Sequence, residues 1–83
     1  MRKNIQMEKA KVELPKWFNG TVYNTGDSVS NPFTGDSIEL TAEELSMYDL
    51  IMGCQLTRHY KLMQKGLDWF RRANPEAYMV LLD

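Results

Sequence analysis

The chain has 83 residues, 43% of them apolar and 25% charged, and a formal net charge of −1, the composition of one small globular domain. A single cysteine and a single histidine exclude an internal disulfide and a cysteine/histidine zinc site within one chain. No apolar run approaches the roughly 20 residues of a membrane-crossing helix, and the balanced charge argues against a strongly basic nucleic-acid binder.

That balance conceals blocks. Residues 1–16 are net basic. Residues 17–57 carry acidic groups and no lysine or arginine, and residues 58–75 carry five basic groups and Asp68. Such blocks neutralise one another by folding back or by pairing with a second copy. The simpler expectation is solvated faces, whose exposed ion pairs are worth about 0–1 kcal/mol each.

Residues 1–14 are polar with scattered apolar positions, and a flexible N-terminal segment is expected there. They contain no apolar core of signal-peptide length, and with the lone Cys54 this predicts a cytoplasmic product. Pro15 ends the segment, and a single domain is expected over 15–83. Asn19-Gly20 signals a turn, and Thr21-Val22-Tyr23 is β-prone, so a short strand is predicted near 21–23. Thr25-Gly26-Asp27-Ser28 recurs as Thr34-Gly35-Asp36-Ser37. Strand-like runs flank Asn31-Pro32-Phe33-Thr34-Gly35, which reads as a hairpin with a five-residue Asn31–Gly35 loop. A lone hairpin is marginal, so Trp17, Phe18, Val29, Phe33, Ile38 and Leu40 are expected to pack on something.

Thr41-Ala42-Glu43-Glu44 is a capping box that starts a helix, with Leu40 and Leu45 placed as a hydrophobic staple. An apolar stripe then runs through Leu45, Tyr48, Met52, Leu56, Tyr60, Met63, Leu67 and Phe70 in steps of three or four. Its phase does not break over 42–73. A straight helix of that length would measure about 48 Å, against a diameter near ~30 Å for a compact domain of this size. Either the helix breaks, with Gly53 the expected place, or it protrudes and pairs with a second copy. Asn74-Pro75-Glu76 is a stop and a restart, and predicts a short apolar helix over 75–82.

Few residues suggest chemistry. Cys54 and His59, five apart, fall on different faces of a helix and form no dyad there. Asp27, Asp36, Glu39, Ser28 and Ser37 are hard oxygen donors near one hairpin, but their spacing matches no calcium loop and turn chemistry accounts for them. The glycines match no phosphate loop. Arg58, Lys61, Lys65 and Arg72 share a helical face, with Asp68 in the gap, Arg71 alongside and Trp69 nearby. That face either meets phosphates or is an ordinary solvated one. Trp17-Phe18 and Trp69-Phe70 are partner anchors or core, with core favoured.

The strings Asn31-Pro32-Phe33-Thr34-Gly35, Glu39-Leu40-Thr41-Ala42-Glu43-Glu44-Leu45-Ser46-Met47-Tyr48-Asp49 and Trp69-Phe70-Arg71-Arg72-Ala73-Asn74-Pro75-Glu76-Ala77-Tyr78-Met79 resemble small uncharacterised proteins of large tailed bacteriophages, notably of marine bacteria. The resemblance spans about residues 15–83. It implies a viral source and a product made inside an infected bacterium, and it implies no activity.

The expected fold is α+β and mostly helical: an irregular hairpin over about 21–40, a long or broken helix over 42–73, and a short helix over 75–82. The hairpin should pack on Leu45, Tyr48 and Met52. The expected function is a non-enzymatic interaction module that binds itself as a homo-oligomer or binds a host protein. No cofactor, metal, membrane or small-molecule substrate is expected. The candidate partner-binding residues are Arg58, Lys61, Lys65, Trp69, Arg72, Tyr78 and Leu82. The alternative is a nucleic-acid-associated or virion component using the basic face over 58–72. An enzyme would need a site shared between subunits.

Overall fold

The computed structural model describes residues 12–83, and the expected flexible start lies mostly outside them. The fold is α+β: strands β1 (Asp27–Ser30) and β2 (Ser37–Leu40), then helices α1 (Ala42–Thr57), α2 (Tyr60–Ala73) and α3 (Pro75–Leu81). The strands pair antiparallel, with Asp27 opposite Leu40 and Ser30 opposite Ser37.

The hairpin is shorter than expected and its loop longer. Residues 21–23 form no strand. Instead the Tyr23 N–H donates to the Ser46 hydroxyl at 2.9 Å, and that hydroxyl donates to the Ala42 carbonyl at 2.7 Å. A buried serine thus gives this segment the partner that a ladder would have supplied. The loop spans six residues, 31–36, closed by Asn31 N–H to Asp36 O at 2.8 Å.

The repeated Thr-Gly-Asp-Ser uses its glycine for two different reasons. Gly35 takes φ of 82° in open space, where a side chain is disfavoured by conformation alone. At Gly26, a Cβ would fall on the Leu40 carbonyl, so the backbone approach itself excludes a side chain.

The capping box forms as read. Glu44 N–H donates to the Thr41 hydroxyl and Thr41 N–H to the Glu44 carboxylate. Asn74 caps α3 by accepting from Ala77 N–H at 3.1 Å, with Pro75 in the first turn. Its amide also donates to Glu44 at 3.2 Å. Glu44 and Asn74 are both buried, so the starts of α1 and α3 share one polar network inside the core.

The long apolar stripe breaks at Arg58–His59 and not at Gly53, which is inside α1 with open space around it. Arg58 is left-handed, φ 64° and ψ 32°. His59 N–H reaches back to the Cys54 carbonyl at 3.0 Å, closing a Schellman-type end. The helices then fold back on one another. A Cβ on Gly66 would meet Ile51 Cγ1 at 2.8 Å and Met47 Sδ at 3.4 Å, so glycine sets the closeness of α1 and α2. The break removes the argument for self-association that rested on an overlong helix.

Leu40, Met47, Ile51, Phe70 and Ala77 form the buried core. Leu14, Trp17 and Phe18 pack against it, so the packed region includes Leu14, one residue before the expected start at Pro15. Leu45, Tyr48 and Met52 border the core as expected, but β2 meets α3 as well as the start of α1. Three stripe or loop residues expected to pack do not: Leu56 is 85% exposed, Tyr60 60% and Phe33 93%. The first two flank the corner where the helix turns away, and the third tops the hairpin loop.

Candidate functional site: an indole-lined cationic cleft

The start of the described chain crosses α2 and leaves a cleft of about 410 Å³. Trp17, Pro15 and Val12 form one wall, and Lys65, Trp69 and Arg72 of α2 form the other. The spacing of Lys65, Trp69 and Arg72 in steps of four and three puts them on one side of α2, so Trp69, read from the sequence as merely near the basic face, joins Lys65 and Arg72 on it. Both tryptophans of the chain therefore line a single site.

Each wall is fixed to the other. The Trp69 indole N–H donates to the Glu13 carbonyl at 3.2 Å. The Lys65 ammonium lies 5.4 Å from the centre of the Trp17 ring, within cation–π range. Trp69 meets Phe70 edge-on, with ring centroids 6.4 Å apart, and Phe70 is fully buried. Trp69 is thus braced from the core side and held at its polar edge.

The electrostatics are positive. Asp68 accepts from Arg71 at 2.8 Å and from Arg72 at 2.9 Å. These are exposed pairs of small energetic weight, yet they orient Arg72 at the cleft edge. The cleft lining holds Lys65 and Arg72 against the single carboxylate Asp68, so one cation remains in surplus.

The other candidates lie elsewhere. Arg58 and Lys61 line a separate, more open groove at the α1–α2 corner with Asn19 and Tyr60. Arg58 thus leaves the expected basic face over 58–72, because it sits in the left-handed turn, while Lys61 stays on α2 four residues before Lys65. Tyr78 and Leu82 are half-buried against the core and line neither of these two clefts. Of the seven candidates, Lys65, Trp69 and Arg72 come together. Trp17 completes their site, brought in by folding from far along the chain. Its own signal, an aromatic pair beside a proline, is equally that of a core residue.

Cys54 is buried, and desolvation pushes its thiol pKa up, which suppresses the thiolate that nucleophilic chemistry needs. His59 holds the N-cap position of α2 without a side-chain cap, and its Nδ1 lies 3.0 Å from the Thr57 hydroxyl. Cys54 and His59 meet through the main-chain bond that closes α1; no side-chain hydrogen bond joins thiol and imidazole, and no three His, Cys, Asp or Glu side chains are placed to hold a metal ion, among the described residues. No helix among them is long and apolar enough to cross a membrane. No family model, curated protein or solved structure matches the chain.

Proposed function

We propose that this protein is a non-enzymatic interaction module whose cleft between the 12–17 segment and α2 takes an aromatic side chain flanked by carboxylates. The observation that carries this reading is the convergence of Trp17 and Trp69 with Lys65 and Arg72 around one cleft. Indoles supply a large apolar contact at low entropic cost, which is why tryptophan and arginine dominate binding energetics at protein interfaces. The cations at the edge select acidic flanks. The buried thiol, with its raised pKa, supports the non-enzymatic part of the reading. The proposed setting, the interior of an infected bacterium, rests on the sequence resemblance alone.

Indoles and cations also suit single-stranded nucleic acid, whose bases stack and whose phosphates pair. Two observations weigh against it. Asp68 stands among the cations of the cleft and pairs with Arg71 and Arg72, and Arg58 sits in the turn before α2 rather than on it.

Titration of the full chain with a short peptide carrying one phenylalanine between aspartates tests the proposal. Tryptophan fluorescence should change saturably. Trp69→Ala should weaken binding at least about tenfold, and replacing the peptide's phenylalanine should do the same. Absent peptide binding, together with oligothymidylate binding that falls steeply with salt, would transfer the site to nucleic acid.

A further inference from the structure

Phe33 is an aromatic ring held out in water. It is 93% exposed at the tip of the β1–β2 loop. The loop is nonetheless tightly tied. The Asn31 side-chain oxygen accepts from Phe33 N–H at 2.8 Å and Thr34 N–H at 3.3 Å. The Asn31 amide donates to the Val80 carbonyl at 2.8 Å, fixing the loop to the end of α3. The main chain closes it through Gly35 N–H to Asn31 O, also at 2.8 Å. The main chain that carries the ring therefore loses little freedom if something covers it, a condition that favours an anchor residue.

The charge around this tip is opposite to that of the cleft. Asp36 lies in the loop itself, Asp27 and Glu39 lie toward the open end of the strands, and no lysine or arginine occurs from Trp17 to Thr57. The cleft holds two indoles with Lys65 and Arg72 at its edge. Its volume of about 410 Å³ is in the range of sites that enclose small ligands and admits a benzyl side chain with its flanking backbone. The 93% exposure of Phe33 shows that the ring does not occupy its own chain's cleft.

We propose that the occupant of the cleft is the Phe33 hairpin tip of a second copy of this chain, an inference that rests on the cleft reading above. Each copy offers one tip and one cleft on different parts of its surface. The contact is therefore heterologous, and it extends head to tail or closes as a ring. A single-anchor contact belongs to the small, transient class of interfaces, so the association is concentration-dependent.

Sedimentation equilibrium of the full chain up to about 1 mM, where contacts of this weak class populate, tests it. The weight-average mass should rise with concentration, stopping at a dimer if two copies exchange tips reciprocally and passing it if the contact runs head to tail. Phe33→Ala and Trp69→Ala should each lower the association constant at least about tenfold. An equimolar mixture of the two variants should recover association and stop at a one-to-one pair, since it contains one intact tip and one intact cleft. Lys65→Glu, at an exposed position, replaces Trp69→Ala if circular dichroism shows the latter unfolded. A monomeric wild type, or Phe33→Ala associating as well as wild type, overturns the proposal. So does a mixture that fails to recover. If the wild type is monomeric yet the acidic phenylalanine peptide binds in the cleft, the second-copy occupant falls and the cleft reading stands. If the peptide fails as well, both fall.

Discussion

The chain interrupts its helical run twice, and the two interruptions are built differently. At Asn74 the stop comes from side chains. Asparagine caps the next helix, Pro75 follows in the first turn, and a buried carboxylate from α1 receives the asparagine amide. At Arg58 the stop comes from tertiary packing. The residue adopts a left-handed conformation that disfavours any side chain, and His59 offers α2 no side-chain cap. What holds that corner is the fold-back itself, with Gly66 against Ile51 and Met47. A boundary made by local chemistry has residues that can be named in advance. A boundary made by packing across it does not.

The Asn74 boundary should be the costlier one to break. Asn74→Ala removes the cap on Ala77 N–H, a loss of about 1 kcal/mol. It also leaves the buried Glu44 carboxylate short of a partner, at about 1–3 kcal/mol more. A loss of about 2–4 kcal/mol by urea denaturation is expected, and about 4–8 °C in Tm accompanies each kcal/mol at this size. An unchanged midpoint would show that the network between α1 and α3 contributes nothing.

Gly66→Ala tests what holds the other boundary. Helix propensity alone predicts stabilisation by about 1 kcal/mol, since alanine suits a helix interior better than glycine. Packing predicts the reverse. The new methyl would press into Ile51, which has no exposed surface through which to retreat. Overpacking of this kind costs roughly 1–3 kcal/mol. The sign of the change in denaturation midpoint decides between them.

What was legible in the sequence follows the same division. Thr41 with Glu44, Asn74 with Pro75, and Gly35 each carry their reason within four residues, and all three take the expected roles. The paired strands were legible from the runs flanking Asn31–Gly35, but Thr21-Val22-Tyr23 found a buried serine instead of a strand partner. The break at Arg58 was hidden because the apolar spacing runs on through the corner in the sequence, although α1 buries Met47, Ile51 and Cys54 more deeply than its stripe residues Leu45, Tyr48 and Met52. Only the exposure of Leu56 and Tyr60 betrays it, and exposure is a tertiary fact. The cleft was half legible. Lys65, Trp69 and Arg72 share a face by spacing alone, whereas Trp17 reaches them only through folding. Phe33 was read as a packing residue because an apolar ring in a small protein usually is one. The Asn31 turn points it outward.

Arg58→Gly gives the smallest effect and the one most specific to the corner. A left-handed arginine costs roughly 1–2 kcal/mol relative to a right-handed one. Glycine removes that cost but gives the unfolded chain more freedom, which offsets part of the gain. A net stabilisation of about 0.5–1 kcal/mol is expected, because glycine is the usual residue at this position of a Schellman end. Helix content by circular dichroism should stay unchanged. If α1 and α2 were instead one strained continuous helix, glycine in its interior would cost about 1 kcal/mol and lower the helix content. The two cases differ in the sign of the stability change, so a single pair of urea curves separates a corner already turned from a helix merely bent.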